Sequence, residues 1–210
     1  MSASREKKAR QELNESGYVD PRKAREAEEK AKERRSTRIY TAVIVAFVLL
    51  GVVLGAMMST DMGGPFNKAA YVFGTAAITS GNYDIMAAVM VGGMVPPLAI
   101  ALATTFFKKK FTAQERKSGP VNYILGLSFI TEGAIPYAAS DPLRVIPACM
   151  IGAGLAGGLS MLFKCTLMAP HGGIFVFAVV GNWPYYLLAL AAGSVVSMLL
   201  LGLFKKKVKE

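Results

Sequence analysis

The pattern along the chain is one of long apolar runs interrupted at a few places by clustered polar, glycine and proline residues. Residues 1–38 carry almost no apolar positions that could build a core; opposite charges at helical spacing, among them Glu28, Glu29, Lys32 and Glu33, predict a solvated helix after Pro21. Residues 39–58 (IYTAVIVAFVLLGVVLGAMM) follow without a charge. A run of about 20 such residues crosses ~30 Å of hydrocarbon. A second long run, Ile85 to Phe107, contains Pro96 and Pro97, which lack backbone donors and are expected to kink or break it. ACMIGAGLAGGLSMLF after Pro147 has the small residues that let membrane helices approach closely, and Leu187 to Phe204 predicts a last span.

Three stretches fit neither a span nor a plain loop. STDMGGPFNKAAYVFG (residues 59–74) places Asp61, Asn67 and Lys68 around a Gly-Gly-Pro turn, and the apolar piece after it is too short to cross. GLSFITEGAIPYAASDPLRVIP (residues 126–147) sets Glu132 between apolar runs, then Asp141 and Arg144 among prolines. LMAPHGGIFVF (residues 167–177) holds the single histidine, His171, in a Pro/Gly turn. Non-helical backbone at membrane depth persists only where protein or a watered cavity buries it, and ionisable groups there mark binding sites. The three stretches are therefore read as re-entrant, helix-broken binding elements. A solvated loop around Glu132, a polar turn at Asp61 and a structural histidine are the competing readings. Asp141 and Arg144, three apart across a turn, are expected to pair and fix the loop.

Composition sharpens the class. The chain is 53% hydrophobic with a mean hydropathy of +0.39, too apolar for an ordinary soluble domain. The fold class expected is all-α, a polytopic membrane protein with roughly four to six spans plus re-entrant elements. The net charge of +10 could suggest a nucleic-acid partner, but 12 of the 24 Lys/Arg lie in residues 1–38 beside 8 acidic residues. Most of the rest flank apolar segments, as KKK at 108–110, Arg116/Lys117 and the terminal KKKVK. That is a topology signal, and it predicts residues 1–38, 108–117 and 205–210 on the cytoplasmic side of the membrane. No nucleic-acid partner is expected. Cys149 and Cys165 sit in apolar sequence without CxxC spacing, so neither a disulfide nor a metal site is expected, and no cofactor. No Walker, HExxH or GxSxG pattern is present. Of the acids after residue 38, Asp61, Glu132 and Asp141 fall in the broken stretches; with an imidazole and an amide they could replace the hydration of a polar, uncharged solute such as a sugar.

From about Leu54 to Phe204 the chain resembles the C-terminal half of the fructose-type membrane subunit, enzyme IIC, of the bacterial phosphoenolpyruvate-dependent sugar phosphotransferase system. The motifs that carry the resemblance are MMSTDMGGPFNKAAYVFG, MVPPLA, GLSFITEGAIPYAASDPLRVIP and LMAPHGG, in that order. It implies that fructose or a related sugar is bound near the membrane centre and phosphorylated by a separate IIB subunit, itself charged by IIA. The chain would then contribute to a transferase system without carrying a phosphorylated cysteine or histidine domain of its own. It also implies that Glu132 is the principal hydroxyl acceptor, with His171 near the sugar and Asp61 and Asn67 in or beside the pocket. Such a subunit ordinarily has comparable membrane sequence before the DMGGP motif, where this chain has one span. Residues 1 to about 50 more weakly resemble the anchor of single-pass bacterial proteins that carry an extracytoplasmic foldase domain. The division expected is a charged cytoplasmic tail, residues 1–38, and a membrane domain, residues 39–210. A missing IIC half or a second copy as partner, and a truncated or fused non-transporting remnant, are the alternatives this leaves open.

Overall fold

The computed structural model describes residues 21–208, with side chains from Glu29 onward. The first twenty residues of the charged tail, and with them that part of the segment resembling a foldase anchor, lie outside the described residues, as do residues 209–210. The chain divides into two units at Ile44/Val45. In the first, residues 29–44 are exposed along one continuous helix.

That helix, α1 (Pro21–Thr60), meets no proline or glycine between its first residue and Gly51, and stops where Met62 and Gly63 take φ of 47° and 112°. Pro65 then supplies a preset φ for the first turn of α2 (Pro65–Thr79). Its 15 residues reach only about 22 Å, the short element its sequence predicts. A turn at Gly81 leads to α3 (Tyr83–Phe106). Four described helices are long and apolar enough to cross a membrane: Glu29–Thr60 within α1, α3, α7 (Pro142–Leu162) and α8 (Trp183–Phe204). The protein is an all-α polytopic membrane protein; its only strands among the described residues are the two-residue β1 (Thr166–Leu167) and β2 (Val180–Gly181), paired antiparallel.

The central helix is α3: 94% of its apolar window is buried, against 61% for α7 and 33% for α8. It packs against α2, α5 (Val121–Leu127), α7 and α8. The expectation that Pro96 and Pro97 kink or break this run is not met by a break, since α3 continues through both. Enclosure explains this, because carbonyls freed by a buried proline find other partners. The outer faces of α7 and α8 expose Ile151, Leu162, Leu188, Leu199 and Leu203, the apolar surface a lipid-facing helix presents.

Small residues set the interhelical distances. A Cβ on Gly157 of α7 would strike the carbonyl of Gly51 in α1, and one on Gly92 of α3 would lie 2.6 Å from the Cα of Gly55. Between α7 and α8, a Cβ on Gly152 would meet the Gly193 carbonyl, and Ser197 donates to the Ala148 carbonyl at 3.0 Å.

Between α3 and α7 the chain forms five short elements: a 3-10 turn at Lys108–Lys110, α4 (Ala113–Ser118), α5, a 3-10 turn at Thr131–Ala134 and α6 (Ile135–Ser140). Glu115 ties the basic end together. It closes a capping box with Thr112, accepts from Ser140 Oγ at 3.0 Å, and lies 3.5 Å from Lys205 Nζ at the end of α8. Lys205 also sits 4.8 Å from the Phe111 ring centroid, and Tyr137 donates to the Glu115 carbonyl at 3.0 Å. Burial alone would push the Glu115 carboxyl up, but the Thr112 N–H, the Lys205 charge and the Ser140 hydroxyl outweigh it and hold it below the ordinary carboxylate range. A depressed folded-state pKa adds stability that is present above the unfolded value of 4.5 and is lost as pH falls through the folded value. Glu115→Gln is therefore expected to lower stability at pH 7 and to flatten the loss of stability below about pH 4.5. Unfolding in detergent as a function of pH checks this; an unchanged acid limb would remove Glu115 from the account.

Candidate functional site

The DMGGP turn is built by its own polar groups. The Asp61 carboxylate accepts the N–H groups of Phe66 at 2.7 Å and Asn67 at 3.0 Å, capping the first turn of α2. Asn67 reaches back with Nδ2 to the Met58 carbonyl at 2.8 Å, satisfying an orphan acceptor at the end of α1. Both side chains are half-buried and engaged with backbone. Gly63 is presented at the turn's tip, where a Cβ would stand 3.0 Å from Glu132 Oε1. A left-handed φ and that close approach together require glycine there.

Glu132 is the exposed member of the 3-10 turn that follows α5. Its neighbours are held firmly. Thr131 is buried and donates from Oγ1 to the Gly93 carbonyl of α3 at 2.8 Å. On the other side, Gly133 lies against the Asn122 side-chain oxygen and Leu125. Ahead of the turn, Phe129 has φ of 61°, a conformation costly for a bulky residue. This directs its ring toward Gly93 and Gly172, on each of which a Cβ would lie 2.5 Å from a Phe129 ring carbon.

The third stretch is a loop between β1 and β2. The Pro170 carbonyl accepts from Tyr71 Oη of α2 at 2.7 Å. His171 is exposed, stacks edge-to-face on Phe129 with centroids 5.8 Å apart, and turns Nδ1 toward the Gly172 carbonyl. Gly173, at φ of 90°, lets the chain pass close to the Leu127 carbonyl.

The three broken stretches thus converge on residues 129–133: Glu132 on Gly63, and Phe129 on His171. Asp61 and Asn67 brace the turn beside Glu132. Asp141 and Arg144 are brought to each other at the start of α7, with Nη1 3.0 Å and 3.1 Å from the two carboxylate oxygens. Cys149 and Cys165 are buried free thiols. Phe129 and Thr131 are the neighbours that sequence reasoning missed. Neither residue type signals a left-handed backbone or a bond to another helix, though both lie inside the stretch singled out. The result is an exposed carboxylate, Glu132, and an exposed imidazole, His171, each packed against one end of the Phe129–Gly133 turn, groups of the kind that accept and donate hydrogen bonds to hydroxyls.

Four helices long and apolar enough to cross a membrane, with Gly/Pro-broken elements between them, define a polytopic membrane protein. The chain belongs to the family described as "Phosphotransferase system, EIIC", whose model matches residues 37–152. That range contains Asp61, Asn67, Glu132, Asp141 and Arg144; His171 lies beyond it. The chain is 56% identical over 154 residues to the "PTS system fructose-specific EIIABC component" of Bacillus subtilis (strain 168), covering 73% of this chain and 24% of the relative. It is 55% identical over 154 residues to the "Fructose permease IIC component" of Bacillus amyloliquefaciens, covering 73% and 50%. To the "PTS system fructose-specific EIIC component" of Haloferax volcanii it is 48% identical over 142 residues, covering 67% and 38%. The chain thus spans about a quarter to a half of the length of these relatives. No solved structure matches.

Proposed function

We propose that this chain is the sugar-translocating, IIC part of a fructose-type phosphotransferase transporter. It binds fructose or a related sugar on the face formed by Glu132 and His171, and a IIB subunit supplied in trans, recharged by IIA, phosphorylates the sugar as it is released inside. The observation that carries the reading is the convergence of three motifs, distant in sequence, on the Phe129–Gly133 turn. The similarity to fructose-specific components supports the choice of sugar. Glu132 accepts sugar hydroxyls, His171 offers a second hydrogen-bonding group, Asp61 and Asn67 hold the turn against which Glu132 rests, and the Asp141–Arg144 pair fixes the entry to α7. The protein positions the sugar and the phosphorylated partner carries the chemistry. Because Glu132 and His171 are exposed, a further membrane segment or second copy closes the face over the sugar.

Equilibrium binding of fructose to the purified chain in nanodiscs tests this. Saturable binding weakened about five- to tenfold by His171→Ala, the cost of one hydrogen bond, is expected. No binding by well-folded protein would favour a non-transporting membrane protein instead. The basic clusters further support residues 1–38, 108–117 and 205–210 on the cytoplasmic side, the first of them outside a membrane domain of residues 39–210. Impermeant labelling of cysteines introduced in each would overturn that topology if any one reacted from outside.

A further inference from the structure

We propose that Pro97 of α3 and Thr131 form a clasp that sets the position of Glu132. An α-helical carbonyl is bonded by the N–H four residues on. For Gly93 that residue is Pro97, which has no N–H to give. The Gly93 carbonyl is therefore left without its helical donor in the middle of a buried helix, where an unsatisfied acceptor is costly. Thr131, 3% exposed, supplies the missing donor with its hydroxyl at 2.8 Å. A proline that looks like a helix breaker thus creates a docking point on an unbroken helix, and the residue it captures is the one immediately before Glu132. The Asn122 oxygen against Gly133 limits movement on the other side. Thr131 is accordingly a positioning residue: it acts through Glu132 and need not touch sugar. The consequence for affinity rests on the sugar-binding reading; the placement of residue 132 does not.

The test uses the full chain in nanodiscs. In a Glu132→Cys background, the rate at which a small methanethiosulfonate reagent modifies position 132 is followed by mass spectrometry, with Thr131→Val, Thr131→Ser, Pro97→Ala and Pro97→Ala/Thr131→Val added. Thr131→Val is expected to change that rate several-fold and Thr131→Ser to restore it. Thr131→Val should also lower thermal stability, by stranding the Gly93 carbonyl. In the double variant the backbone N–H regained at position 97 satisfies that carbonyl, so stability recovers while labelling at 132 stays altered. That separates positioning from folding even if Thr131→Val alone is unstable. With Glu132 intact, Thr131→Val should weaken fructose binding several-fold, through displacement of the Glu132 carboxylate. Labelling at 132 that is the same in Thr131→Val, the double variant and the parent would overturn the clasp, whatever the sugar does. Altered labelling in a chain that binds no fructose would instead sink the sugar reading and leave the clasp standing.

Discussion

Fructose binding is expected to fall by about ten- to a hundredfold when Glu132 is replaced by Gln, the loss of charge-assisted hydrogen bonds worth roughly 1.5–3 kcal/mol. The substitution keeps the shape of the side chain and its contact with Gly63, so the turn has no steric reason to move. What changes is the acceptor: a carboxylate offers two oxygens and a full charge to sugar hydroxyls, while an amide offers one neutral oxygen and an NH2 that must find acceptors of its own. Glu132 is exposed on a turn whose preceding residue, Thr131, is buried and bonded to α3, so the side chain keeps its hydration while its backbone is held in place for a ligand. Titration calorimetry on both proteins at one ionic strength measures the ratio. A change smaller than twofold would remove Glu132 as principal acceptor and shift attention to His171.

Gly157→Val is expected to be the most damaging single change to the fold, costing about 3 kcal/mol or more. A side chain inserted at that position meets the Gly51 carbonyl, a backbone atom in a helix that cannot step aside as a flexible side chain could. The same region carries the approaches of Gly55 to α7 and of Gly92 to Gly55, so α1, α3 and α7 would all have to separate. In a membrane that separation is not compensated by hydrophobic burial, because lipid is as apolar as the interface lost; close packing is what holds the helices. Loss of monodisperse protein in detergent, or a large drop in unfolding temperature for whatever remains, is the expected reading. A Gly157→Val protein as stable as the parent would mean that the α1–α7 approach is not a determinant of the fold.

Much of this architecture is written in local pattern. Four apolar runs of spanning length, the short α2 after the Gly-Gly-Pro turn, and the three polar interruptions follow from hydrophobic run length and from where glycine and proline fall, properties a segment has wherever it is placed. Local pattern could not decide between a kink and a break at Pro96 and Pro97, and α3 does not break, because whether a proline breaks a helix depends on what surrounds the carbonyl it frees. Here Thr131, far along the chain from Pro97, provides that partner. Phe129 shows the same limit: nothing in its residue type announces a left-handed backbone, and the strain is sustained by contacts with Gly93, Gly172 and His171. By itself the chain determines which segments are apolar enough to enter a membrane and where they must break. Only tertiary structure decides that Gly63 abuts Glu132 and that His171 meets Phe129, because those contacts join residues from separate elements whose approach is set by helix packing and not by any local preference.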